Sequence, residues 1–295
     1  MGFETESYIR HAENFSRNLD DPDRNKIALT WLDETTADYW RHARAYEVAD
    51  CIPDRSSTWV TIGDGRWGLD SIRLRNKGFA NVLPTDISEA LLKAARDQAL
   101  ISNYSVENAE KLSFENNSFD YAFCKEAFHH FPRPYAALYE MLRVARKAVF
   151  LVEPNDPTPR ATIQSIIKLG AKKLLRRPAV YPPAWEEVGN YVYTVSEREV
   201  EKVALGLNLP QIVIKGLNDC YIEGCEFEAA DASQSEIFHR ILQSIKESDR
   251  ACSRGFRAYD ILMIGFFIEP LPGEQRTSFL AKGWRVVDVP RNPHV

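Results

Sequence analysis

An excess of positive charge is the first thing this 295-residue chain lacks. Its 42 Asp and Glu outnumber 37 Lys and Arg, for a formal net charge of −5. A chain built to hold a polyanion carries the opposite balance, so nucleic acid is not the expected partner, although a local basic patch stays open. Cysteine is scarce and odd in number: Cys51, Cys124, Cys220, Cys225 and Cys252, with no Cys-x-x-Cys pair. That excludes a disulfide framework and predicts reduced thiols in the cytoplasm. The six histidines are scattered without ligand spacing, so no metal is expected. Long apolar runs are also missing. The longest, Ile261 to Ile268, has eight residues; it suits a buried strand and is too short for a transmembrane segment. The acidic opening Met1-Gly2-Phe3-Glu4-Thr5-Glu6 has no apolar stretch of the kind a signal peptide needs.

What is present is ordinary for a globular protein: 44% apolar and 27% charged residues. Residues 1 to 53 read as helical and polar-aromatic, closed by Pro53. Strands follow near 58–62, 80–85, 101–106, 119–124 and 148–152, with helical patterns between them, including one from Tyr135 to Arg146. This alternation predicts right-handed βαβ units and a doubly wound α/β fold with a mostly parallel sheet. Ser196-Glu197-Arg198-Glu199 is a capping box that opens a further helix. Gln211 to Ile214 and Tyr259 to Ile268 read as strands, Glu236 to Ile245 as a helix, and Trp284 to Val287 as one short edge strand.

The most informative stretch is Trp59-Val60-Thr61-Ile62-Gly63-Asp64-Gly65-Arg66-Trp67-Gly68, where a β-branched strand enters a glycine-rich turn before a helix. Its literal spacing, Gly-x-Gly-x-x-Gly, is the dinucleotide fingerprint. Backbone N–H groups at such a turn make an electropositive pocket. Asp86 falls 21 residues after Gly65, at the end of the second strand, where a carboxylate can accept both hydroxyls of a ribose. Those features imply an adenosine-containing cofactor and leave open whether it is NAD or S-adenosyl-L-methionine (SAM).

Three later segments bear on the choice: Asn108-Ala109-Glu110 with Leu112-Ser113-Phe114 and Ser118-Phe119-Asp120; Lys125-Glu126-Ala127-Phe128-His129-His130-Phe131-Pro132-Arg133-Pro134; and Glu153-Pro154-Asn155. The series resembles class I SAM-dependent methyltransferases, in particular the small-molecule, type 11-like branch, over roughly residues 37 to 155. The resemblance implies a seven-stranded sheet, SAM as cofactor and S-adenosyl-L-homocysteine (SAH) as product. It implies Gly63, Gly65 and Gly68 beside the methionine and ribose of SAM, Asp86 on the ribose and Ile87 on the adenine face. It also implies Asn108 and Ala109 at the adenine edge, Lys125 and Glu126 near the methyl group, and Tyr39 and Arg44 closing over the cofactor from the N-terminal helices. The chain departs from the family pattern in several places. Thr61 stands where an acid usually helps hold the SAM amino group, and Asp64 is a candidate replacement. The glycine loop carries an extra residue and Trp67. Asn108 replaces an Asp at the adenine. Arg146-Lys147 stands where a Pro-Gly-Gly turn usually precedes the fifth strand.

Methyl transfer to a hydroxyl needs a base, and histidine is the usual one. His129 or His130, just past the fourth strand, is the expected base, with Glu153 behind it as orienter. The alternative is that the pair caps a helix or packs beneath the site. The expected organisation is an N-terminal helical cap (1–53), a SAM-binding core (54–155), the rest of the sheet with substrate-pocket insertions at 160–190 and 217–258 (156–270), and a tail (271–295). The basic amphipathic stretch 160–177 permits a lid, a phosphate-binding face, weak membrane-surface contact or simply a solvated helix face. The expected function is methyl transfer to a small-molecule or glycan-type acceptor, at oxygen. A non-catalytic SAM-fold binding protein and an NAD-dependent oxidoreductase are the alternatives.

Overall fold

A computed structural model describes residues 2–19, 21–156, 185 and 190–294. Eight strands form one sheet: β1 (Thr58–Ile62), β2 (Asn81–Asp86), β3 (Ser105–Val106), β4 (Phe119–Lys125), β5 (Ala145–Pro154), β6 (Gln211–Leu217), β7 (Ile261–Phe267) and β8 (Arg285–Asp288). Their order is β3-β2-β1-β4-β5-β7-β6-β8. The first five pair in parallel, β7 is antiparallel to β5 and β6, and β8 is antiparallel to β6. The sheet therefore has one strand more than the seven expected. The extra one is the short edge strand at the tail. Helix Gly273–Ala281 turns the chain back, and Trp284 packs its indole edge-on to Phe279, which holds β8 against β6.

Alternate residues of each strand feed two cores, one on each face of the sheet. Val60, Ile62, Ala122, Cys124, Val149 and Leu151 meet Leu138 and Met141 of helix Pro134–Val144. Trp59, Tyr121, Phe123 and Phe150 point the other way, onto Tyr46, Val48, Ile52 and Leu74. Helices on both faces confirm the doubly wound arrangement.

The helix expected to reach Arg146 stops at Val144, and β5 begins at once with Ala145. The β4–β5 register slips between Phe119 and Tyr121, which absorbs an extra residue on β5. Arg146 and Lys147 reach the Asp120 carboxylate at 3.3 and 3.1 Å. Side-chain charge thus anchors a strand entry that has no Pro-Gly-Gly turn.

Four helical segments precede β1: Phe3–Leu19, Pro22–Thr30, Ala37–Ala43 and the 3-10 stretch Arg44–Cys51. The helix Glu236–Ser253, capped by Ser235, lies in the second insertion. It packs Phe238, Ile241 and Ile245 on Ala37 and Trp40. Apart from Trp185 and Asn190, the first insertion, with its basic stretch 160–177, lies outside the described residues. No described helix is long and apolar enough to cross a membrane.

Candidate active site

Because β1 to β5 are parallel, their carboxyl ends share one edge, where ligands bind in open α/β sheets. A cavity of about 400 Å³ opens there. β1 hands over to Gly63, whose φ of +75° is left-handed and costly for residues with a side chain. A Cβ on Gly63 would stand 2.4 Å from Ala127 Cβ; one on Gly65 would stand 2.5 Å from the Asp86 carboxyl carbon. Bare backbone at Gly65 is what lets the Asp86 carboxylate lie against the turn. Burial pushes this carboxyl up to about 6, opposed by the N–H groups of Ser88, Gly65 and Ile87.

The extra loop residue is taken up by Trp67, which adopts φ +64°. Its ring leaves the cavity and packs with Leu69, Leu91, Ala95 and Ile101. Hydrophobic burial offsets a conformation that a bulky residue otherwise avoids.

Asp64 lines the cavity but is already committed. Its carboxylate accepts the Thr61 hydroxyl at 2.8 Å and the N–H groups of Asp70 and Ser71 at 3.0 and 2.9 Å. It therefore caps helix Leu69–Asn76, and burial with the neighbouring Asp70 charge raises its pKa. The next turn brings Asp70 to the cavity wall, where one carboxylate oxygen accepts the Tyr46 hydroxyl.

At the end of β4, Lys125 is paired with Glu126. Burial opposes the ammonium, but Glu126 and Asp70 hold its pKa above the ordinary value. At the β3 end, Ile87, Asn108 and Ala109 line the wall, and Asn108 Oδ1 accepts the Glu110 N–H at 2.9 Å.

His129 and His130 both line the cavity. His129 Nδ1 lies 2.6 Å from Glu153 Oε2, and Glu153 Oε1 accepts the Ala127 and Phe128 N–H groups at 3.1 and 3.0 Å. Glu153 is 0% exposed, beneath the histidine rather than in the cavity wall. A carboxylate only accepts, so Nδ1 donates to Glu153, and in the neutral imidazole Nε2 is then the basic nitrogen. The His130 ring lies against that of His129, centroids 3.9 Å apart.

Two expected residues are elsewhere. Arg44 stacks on Trp40 and donates to the Asn218 carbonyl at 2.9 Å; Tyr39 lies beneath the Arg73 guanidinium and donates to Glu34 at 3.2 Å. Neither lines the cavity, and Gly65 and Gly68 do not either. From the N-terminal helices the cavity instead receives Tyr8, His11, Trp31, His42 and Tyr46. His42 stacks on Trp31 at 4.3 Å and is kept neutral by burial and by Lys125, Arg41, Arg73 and Arg66. Tyr8 donates to Glu110 at 2.6 Å, and Arg133 donates to the same carboxylate at 2.6 Å. Helix Phe3–Leu19 is thereby tied to the cavity wall. No described residue of the 217–258 insertion lines the cavity; Leu217, Leu242, Ile245 and Tyr259 face a second cleft beside Trp40 and Arg44. Among the described residues, no group of three or more His, Cys, Asp or Glu is placed to hold a metal.

The cavity suits SAM on its own features. Its volume is in the range of small-molecule sites, and a carboxylate sits in a cradle that any Cβ at residue 65 would fill. Aromatic rings and charged groups of both signs line the rest.

Part of the sequence and the fold are similar to known proteins. The sequence model of the family described as “Methyltransferase domain” matches residues 60–152. The structure is similar to a chain from the complex of the Haloferax volcanii Trm112 methyltransferase activator with a methyltransferase. The TM-score is 0.54 at 16% identity, covering 87% of this chain and 98% of that one, which establishes the fold. A SAM-dependent methyltransferase of Thermotoga maritima gives a TM-score of 0.49 at 15% identity, covering 86% and 98% of the two chains. Magnesium protoporphyrin IX methyltransferase from Synechocystis, with bound SAH, gives 0.43 at 16% identity, covering 83% and 87%. No curated protein matches the sequence. Residues 60–152 thus match a methyltransferase domain, and the chain has the class I methyltransferase fold.

Proposed function

We propose that the cavity binds SAM along the glycine turn and that the enzyme methylates a hydroxyl oxygen of a small-molecule or glycan-type acceptor, with His129 as general base. The observation that carries this reading is the 2.6 Å contact between His129 Nδ1 and the fully buried Glu153. When bound, SAM supplies a methyl group activated on a sulfonium. The chain's own residues then have to align the acceptor, exclude water and take a proton. With Nδ1 protonated toward Glu153, Nε2 of His129 takes the hydroxyl proton, and Glu153 stabilises the imidazolium that forms. Asp86 accepts the ribose hydroxyls, and Ile87, Asn108 and Ala109 border the adenine. Helix Phe3–Leu19 keeps bulk water from the transfer through the Tyr8–Glu110 latch. Five free cysteines support a reducing, cytoplasmic setting.

The test is turnover with methyl-labelled SAM against a panel of alcohols, sugars and amines, followed by identification of the labelled atom. Label on oxygen, lost in His129→Ala while SAH still binds, is the expected result. Label on nitrogen or carbon, or turnover retained in His129→Ala, would overturn the reading.

A further inference from the structure

The amino-acid end of SAM carries an ammonium that must leave water on binding, and a desolvated cation needs a carboxylate with a free oxygen. Six carboxylates line the cavity: Asp64, Asp70, Asp86, Glu107, Glu110 and Glu126. Asp64 already accepts through both oxygens, from Thr61 and Ser71 at Oδ2 and from the Asp70 N–H at Oδ1. Glu107 accepts the hydroxyls of Ser105 and Ser113 and the Ser113 N–H. Glu110 is held by Tyr8 and Arg133, and Glu126 hydrogen-bonds the Lys125 ammonium, whose charge also acts on Asp70. Asp86 lies against Gly65 at the ribose position.

Asp70 is different. Its Oδ1 accepts the Tyr46 hydroxyl, while Oδ2 accepts no hydrogen bond from the described residues. The residue is 8% exposed and lines the cavity. Tyr46 is buried against Phe123, so its hydroxyl fixes the carboxylate plane from behind. The helix N–H groups that would otherwise compete for Asp70 are taken by Asp64.

We propose that Asp70, and not Asp64, binds the α-ammonium of SAM through Oδ2, with Tyr46 as its positioning residue. Asp64 supports it by capping the helix and fixing where Asp70 stands. The assignment rests on the SAM reading and adds the residue that discriminates the amino-acid end of the cofactor from a bare thioadenosine.

Calorimetric titration with SAH and with 5′-methylthioadenosine, which has the same nucleoside but no ammonium, tests it. Asp70→Asn keeps shape and removes charge. It is expected to weaken SAH by ~10- to 100-fold and leave methylthioadenosine within ~2-fold, as loss of one charge-assisted hydrogen bond predicts. Tyr46→Phe is expected to weaken SAH by a few-fold only. Unchanged SAH affinity in Asp70→Asn overturns the assignment, and so does equal loss of both ligands, which marks a structural role. Wild-type protein that binds neither ligand overturns the SAM reading and the assignment with it. That outcome is distinct from one in which SAH binds and ignores Asp70.

Discussion

Glu153 grips His129 from below: one carboxylate oxygen meets Nδ1 at 2.6 Å, and the other takes two backbone N–H groups of the same turn. The imidazole is thus fixed in orientation and in tautomer. Glu153→Gln keeps the backbone bonds but presents an amide to Nδ1. The ring then turns to the other tautomer and Nε2 carries the proton. Turnover is expected to fall by ~10²- to 10⁴-fold with SAH affinity within ~3-fold of wild type. Steady-state kinetics beside calorimetry checks this, and equal losses of turnover and binding would contradict it.

Asp86 gives the site a pH dependence. Burial raises its pKa to about 6, so the folded value lies above the unfolded one. Ionising it in the folded state therefore costs stability, and this cost appears as pH rises from about 4 to 6. The proposed ribose recognition has the opposite demand, because only a carboxylate accepts both hydroxyls. SAH affinity is expected to fall as pH drops through about 6. In Asp86→Asn binding is expected to be weak and the fall through that window much reduced, which titrations at pH 5 to 7.5 would reveal.

Gly65→Ala is expected to damage binding more than folding. The new Cβ would lie 2.5 to 2.7 Å from the Asp86 carboxylate, which must move away from the ribose position. Loss of SAH affinity by ~10-fold or more, with a small change in melting temperature, is expected. Wild-type affinity in this variant would remove Asp86 from the ribose site.

Tyr8→Phe loosens helix Phe3–Leu19 from the cavity wall. It deletes a hydrogen bond to Glu110 worth ~1 kcal/mol and the 3.1 Å bond that Arg133 donates to the hydroxyl, and leaves the Arg133–Glu110 pair intact. SAH dissociation, followed by stopped flow, is expected to speed up by ~5-fold. An unchanged rate would mean that this helix does not gate the cavity.

The sheet was readable because its evidence is local and redundant. Apolar β-branched runs, the glycine turn and Asp86 at a strand end each mark a boundary, and their order sets the topology. The cavity lining was readable only where residues belong to those strand ends, as with Ile87, Asn108, Lys125 and His129. Tyr39 and Arg44 point elsewhere because the rotation of helix Ala37–Ala43 is set by Arg41, buried against Asp38 and Asp219. That contact crosses most of the chain. Tyr8 reaches the site through Glu110, 102 residues away. Asp70 stands in the first turn of helix Leu69–Asn76, and its open oxygen is visible only once Asp64 is seen to take the cap. Trp67 marks a real oddity of the loop, but its strain is resolved into the core rather than the cavity.

The most direct test of the account is calorimetric titration of wild-type protein with SAH, beside NAD as control. Saturable binding of one SAH per chain, displaced by SAM and absent with NAD, is the predicted result. Binding of NAD, or no binding of SAH, would contradict a SAM site built on Gly63, Gly65 and Asp86.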